Sequence, residues 1–198
     1  MNVPVRIGEL LKRPYFQRAE VIATRKALER PVKWVHIMEI TNVGRLLDGH
    51  ELILSTGVGW KDQEEVSLSF LRQLIDHNAA GLCVELGAYA KQPSDKMKHM
   101  ALEADFPLIF FHEEVRYIDI TRDLHTFFIN RHHQMIASLD QLTNRFNRLL
   151  LSGKGFMPLL RLLHENTGKL VAFLPENGSA IFVPALPRSG QTREMKAW

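Results

Sequence analysis

His36 with Glu39, Ser55-Thr56-Gly57, and Cys83 with Glu85 are the residues whose types and spacing could do chemistry. An imidazole and a carboxylate three positions apart suggest an acid–base pair or part of a metal site. Side chains alternate with a period of two along a strand, however. Positions 36 and 39 therefore converge only if the strand ends or bends before Glu39. Under that constraint the pair serves ligand contact or structural hydrogen bonding, and catalysis is the least supported role. Ser55-Thr56-Gly57-Val58-Gly59 is a small Gly-bearing loop after a strand and invites a phosphate-loop reading. It fails that test, because the Gly-x4-Gly-Lys-Ser/Thr spacing and the third glycine of a dinucleotide motif are both missing. Two hydroxyls and the N–H groups near Gly57 remain. They form a polar rim for a small ligand, or a turn alone.

Cys83 sits in an apolar run, where a small buried thiol is inert. Glu85 shares its strand face and lies near the strand's carboxyl end, lining a pocket or lying exposed at the sheet end. His112-Glu113-Glu114 read as a solvated connection. His132 and His133 point about 100° apart on a helix, and neither Cys nor carboxylate completes a site with His125. No nucleophile–base pair and no metal cluster emerges, so no catalytic residue, metal or cofactor is expected.

These residues need elements to position them. Ile7, Leu10 and Leu11 recur at helical spacing, and Pro14 stops that helix. Strands follow at Glu20–Thr24, Lys33–Glu39, Glu51–Ser55, Ala80–Leu86 and Pro107–Phe111. The second of these is apolar on both faces, which predicts a strand inside a covered sheet. Asn42–Leu47 reads as a short helix. Asp62 can cap a longer one with Glu65 completing a capping box, and Pro93-Ser94 opens another. Strands alternating with helices give a layered α/β domain, bounded at residues 1–116. Its ligand belongs at the carboxyl ends of the strands.

From Tyr117 to Ser152 the pattern changes to one long helix without internal Gly or Pro. Phe128, His132, Met135, Leu139, Leu142, Phe146 and Leu149 follow a four-three spacing over about three heptads. A stripe that narrow suits a partner helix, with His132 its weak point. Phe128, Met135, Leu139, Leu142, Phe146 and Leu149 are the dimerisation candidates over 117–152; the alternative is a helix packed on its own domain. A helix from Pro158 and a β-hairpin across Glu176-Asn177-Gly178-Ser179 then read as the incomplete start of a second α/β domain, residues 153–186. The tail, 187–198, is expected to be disordered, and the chain to be a fragment or truncated product.

Composition excludes several classes. With 45% apolar and 24% charged residues the chain has the make-up of a globular protein with a core. The net charge of +3 is scattered, without a basic block that would support nucleic-acid binding. A single cysteine excludes an internal disulfide framework and fits a reducing compartment. No secretory pattern opens the sequence and no apolar run could span a bilayer, so a cytoplasmic location is expected and a membrane partner is not.

Several ordered pieces together resemble the amino-terminal sensory domain of PucR-type purine-catabolism regulators. They are Val32-x-Trp34-x-His36-x-x-Glu39, Leu47-x-Gly49-x-Glu51-Leu52-x-Leu54-Ser55-Thr56-Gly57, Ala80-Gly81-Leu82-Cys83-Val84, and Pro107-Leu108-Ile109 leading to Ile118-x-Ile120. The resemblance covers about residues 6–120. Met38 stands where family members commonly have Thr, and Ser55 where Thr is usual. It implies an effector-sensing, dimerising region of a bacterial transcription regulator of purine or other nitrogen-compound catabolism. Effectors would be small nitrogenous metabolites: purine breakdown products such as allantoin or urate, or amino acids. DNA would be bound only through a helix-turn-helix domain that this sequence does not resemble. On that reading His36, Glu39, Ser55, Thr56, Gly57 and Glu85 contact the ligand. The competing readings are a small-molecule hydrolase or transferase, and a ligand-free protein-interaction module.

Overall fold

A computed structural model describes residues 4–61 and 63–185. Asp62 and the tail 187–198 lie outside the described residues. The central sheet is built from β2 (Glu20–Ile22), β4 (Trp34–Ile37), β5 (Glu51–Ser55), β6 (Gly81–Glu85) and β7 (Leu108–Phe111). Its order is β2-β7-β6-β5-β4. The last four run parallel, and β2 is the antiparallel strand beside β7. The layered α/β class inferred from the sequence is therefore what the chain adopts. Two short strands escaped the sequence reading: β1 (Val5–Arg6) pairs antiparallel with β3 (Pro31–Val32).

β5 is buried along its whole length, as a central strand with both faces covered must be. Ile53, Leu82, Val84, Leu108 and Phe110 project to one side. There they meet α2 (Glu64–Asp76) and α3 (Asp95–Glu103), which contribute Phe70, Leu71, Leu74, Met97 and Ala101. Gln63 is the N-cap of α2. On the other side Leu52, Leu54, Cys83, Ile109 and Phe111 pack with Ile7 and Leu10 of α1 (Ile7–Leu10). Ile120 and Leu124 of α4 (Tyr117–Leu151) complete that layer.

Two sequence expectations are corrected. The strand at Trp34 is not interior: it forms the sheet's edge, with Trp34 41% and Ile37 49% exposed. Only Val35 of that strand is buried. The predicted helix at Asn42–Leu47 is a single 3-10 turn, Gly44–Leu46.

The chain divides into two compact units between His133 and Gln134, inside α4. In the first unit, the start of α4 is fixed to the α/β layers by specific contacts. The Arg13 guanidinium forms a two-pronged bond with Asp123, which raises the Arg13 pKa. His125 stacks on Trp34 at 4.4 Å between ring centroids. The second unit holds the rest of α4, α5 (Met157–Thr167), and the antiparallel pair β8 (Val171–Phe173) and β9 (Ile181–Val183). Leu159, Leu160, Leu162, Phe182 and Val183 are its buried residues.

Candidate functional site

β4 ends at Ile37, two residues before Glu39. Its carboxylate accepts from the Ser55 hydroxyl at 3.0 Å through Oε2 and from the Thr56 N–H at 2.9 Å through Oε1. The Ser55 oxygen in turn accepts from the Gly57 N–H at 3.1 Å. A carboxylate thus collects the donors left where β5 stops, and burial of Ser55 is tolerated because its polar atoms are paired.

Tyr117, the first residue of α4, continues this network. Its hydroxyl donates to the Ser55 carbonyl at 2.6 Å and accepts from the Glu85 N–H at 3.2 Å. The Glu85 carboxylate accepts from the Val115 N–H at 3.2 Å. Burial first, then the nearby Cys83, Glu85 and Glu39, push the Tyr117 pKa well above that of a free phenol. The hydroxyl therefore stays protonated and remains a donor. Burial likewise raises the Cys83 thiol, which excludes a thiolate nucleophile at neutral pH.

Glu39, Ser55, Thr56 and Gly57 are thus brought into one hydrogen-bonded group, and Tyr117 ties Glu85 to it. His36 is not in that group; it lies exposed on the edge strand. Gly57 has φ +77°, and a Cβ there would fall 2.6 Å from the Ala90 Cβ and 3.2 Å from Trp60 ring atoms. Its missing side chain is what allows the backbone so close to that wall. Tyr117 and Trp60 were not among the candidate residues. Tyr117 follows a change of pattern and no local spacing links it to residues 55 and 85. Trp60 in a Gly-flanked turn was the readable signal.

Beside this network lies a cavity of about 230 Å³. It opens at the carboxyl ends of β6 and β7, between the first turns of α2 and α3. Trp60, Val84, Leu86, Met97 and Phe110 form its apolar walls, Gln63, Ser67, Gln92 and Ser94 its neutral polar parts, and Glu64 and Lys91 its charged ones. None of the six ligand candidates lines it. Lys96 bonds Glu64 at 2.8 Å and so joins the two first turns. Ser94 caps α3 by accepting from the Met97 N–H at 3.2 Å. Among the described residues no group of three or more His, Cys, Asp or Glu side chains could hold a metal ion.

The α4 stripe divides in two. Phe128 packs against the core of the first unit, beside Phe127. Beyond it, Met135, Leu142, Phe146 and Leu149 are half-buried, and Leu139 is 52% exposed. No residue of α4 after Leu124 is fully buried. Among the described residues, no helix is long and apolar enough to cross a membrane.

A mostly parallel α/β layer, with a polar network at its strand ends held by the first residue of a long helix, defines the class of this protein. The chain belongs to the purine catabolism regulatory protein-like family, whose match covers residues 9–127. It is also 25% identical over 159 residues to the purine catabolism regulatory protein of Bacillus subtilis (strain 168), across 80% of this chain. The chain spans 30% of that relative's length. Among solved structures, it is similar to the CBS and DRTGG domains of the regulatory region of Clostridium perfringens pyrophosphatase. That crystal structure is a complex with the activator diadenosine tetraphosphate. The likeness has a TM-score of 0.38 at 14% identity, over 52% of this chain and 40% of the other.

Proposed function

We propose that this chain is the effector-sensing and dimerisation region of a bacterial transcription regulator of purine or other nitrogen-compound catabolism. The observation that carries the reading is the Tyr117 hydroxyl, bonded at once to the ends of β5 and β6. A ligand at the strand ends that changes those ends changes the seat of α4. Such control requires different affinities for two seats of the helix, since equal affinity shifts nothing. The name of the Bacillus relative supports a purine-related effector, and family membership supports a regulatory, non-catalytic role in the cytoplasm.

In this reading Glu39, Ser55, Thr56, Gly57 and Glu85 relay the state of the strand ends, and His36 is an outer contact. The stripe from Met135 to Leu149 pairs with the same stripe of a second copy. DNA is engaged through a part of the regulator other than these residues. Thermal-shift screening against purine catabolites and amino acids tests the sensor role. Stabilisation by one class is expected, and none by any compound would remove the reading.

A further inference from the structure

Resting on the sensor reading, we propose that the effector occupies the cavity between the first turns of α2 and α3, and that it is an uncharged planar ring with a hydrogen-bonding edge. Size comes first. At roughly 30 Å³ per water, 230 Å³ holds the equivalent of about eight waters, enough for one ring or two fused rings. Shape comes second. Trp60, Met97 and Phe110 supply apolar walls, and Trp60 is held in place by Phe70 at 4.9 Å between ring centroids. The polar groups around them are mostly amides and hydroxyls: Gln63, Gln92, Ser67 and Ser94. Such groups match ring N–H and carbonyl edges.

Charge decides the class. Helix N-termini normally favour anions. Here each first turn already carries acidic side chains, Glu64 and Glu65 on α2 and Asp95 on α3. Lys96 is engaged by Glu64. Glu64 and Lys91 bring one charge of each sign to the lining, which leaves no net positive charge to draw in a phosphate or carboxylate, whereas the amides and hydroxyls serve an uncharged ring.

The cavity also shares its walls with the network. Trp60 and Ala90 close on Gly57, whose N–H donates to Ser55. Val84 and Leu86 line the cavity on either side of Glu85, whose N–H donates to Tyr117. A ring that spreads these walls therefore acts on both backbone groups that hold the start of α4.

Matched pairs of probes test the proposal by calorimetric titration: uracil against orotate, and nicotinamide against nicotinate. At least one uncharged ring is expected to bind, at least tenfold more tightly than its anionic counterpart. Ser67→Phe, which fills the cavity, should weaken that binding at least tenfold. Gln63→Ala, at an exposed position that leaves the core intact, should weaken it several-fold even if Ser67→Phe does not fold. Tighter binding of the anions, or ring binding untouched by both folded variants, would overturn the site. In that case stabilisation by an anion or an amino acid would leave the sensor reading standing. If no compound of any class binds or stabilises the chain, both fall.

Discussion

The Tyr117 hydroxyl donates to the Ser55 carbonyl at 2.6 Å, joining the first residue of a long helix to the last residue of a strand 62 positions earlier. The same oxygen accepts from the Glu85 N–H, so one phenol spans the ends of two adjacent parallel strands. Tyr117→Phe keeps the ring and removes both bonds. It leaves a carbonyl and an N–H without their partner, which costs about 1–3 kcal/mol. The urea midpoint should fall accordingly with the slope unchanged. A midpoint equal to wild type would show that water replaces the phenol without loss.

Glu39 gives a second test of the same network. Glu39→Ala removes the acceptor for the Ser55 hydroxyl and the Thr56 N–H together. Hydrogen bonds to a charged group contribute about 1.5–3 kcal/mol, and that range is the expected loss in denaturant unfolding. His36→Ala, at an exposed position outside the network, should change stability by less than about 0.5 kcal/mol. Equal effects of the two substitutions would contradict the placement of these residues.

This contrast shows what the sequence could tell. The central strands were legible because Glu51–Ser55, Gly81–Glu85 and Leu108–Phe111 are short apolar runs bounded by turn residues. The edge position of β4 was not. Alternation describes the faces of a strand, whereas an edge is defined by which neighbour is missing, and topology alone supplies that. Trp34 reads as core from its type, yet it lies 41% exposed with its ring on His125, a residue of α4. Ser55 and Glu39 were legible as chemistry, but their bond depends on the path of the chain beyond the end of β4 at Ile37. Tyr117 depended on a helix returning to the sheet, which no local spacing encodes.

Gly57→Ala probes the close approach between the strand-end network and the cavity wall. A Cβ at φ +77° is strained, and it would press on Ala90 at 2.6 Å. Overpacking of this kind costs about 1–3 kcal/mol, added to the backbone strain. Thermal unfolding should shift down by several degrees. A neutral substitution would mean that the 86–93 loop yields freely.

The Glu64–Lys96 pair joins the first turns of α2 and α3 beside the cavity, and its pH dependence has a definite sign. Its bond to Lys96 first, and to Ser94 next, lowers the Glu64 pKa below the ordinary 4.5. A depressed folded-state pKa gives stability that is complete above the ordinary value and lost as pH falls through the folded value. The difference in urea midpoint between wild type and Glu64→Gln should therefore be largest at neutral pH and shrink below about pH 4. Because the pair is exposed, added salt should shrink it as well. A difference that grows on acidification would reverse the assignment.

The second half of α4 carries the remaining prediction. Ile136, Leu139 and Leu150 are 49%, 52% and 59% exposed, and Leu142 and Phe146 are half-buried beside them. A helix that leaves this much apolar surface in water gains by pairing with another; Leu139, Leu142 and Phe146 lie on the four-three repeat, with Ile136 and Leu150 flanking it. Wild type should sediment as a dimer. Leu139→Asp with Leu142→Asp puts two carboxylates in the seam and should give a monomer. The first unit should stay folded, because its contacts with α4 run through Tyr117, Ile120, Asp123, Leu124, His125, Phe127 and Phe128, all upstream of the substituted positions. Near-ultraviolet circular dichroism of Trp34 and Trp60 would report that. A wild-type monomer, or a dimer indifferent to both carboxylates, would remove the stripe as the interface.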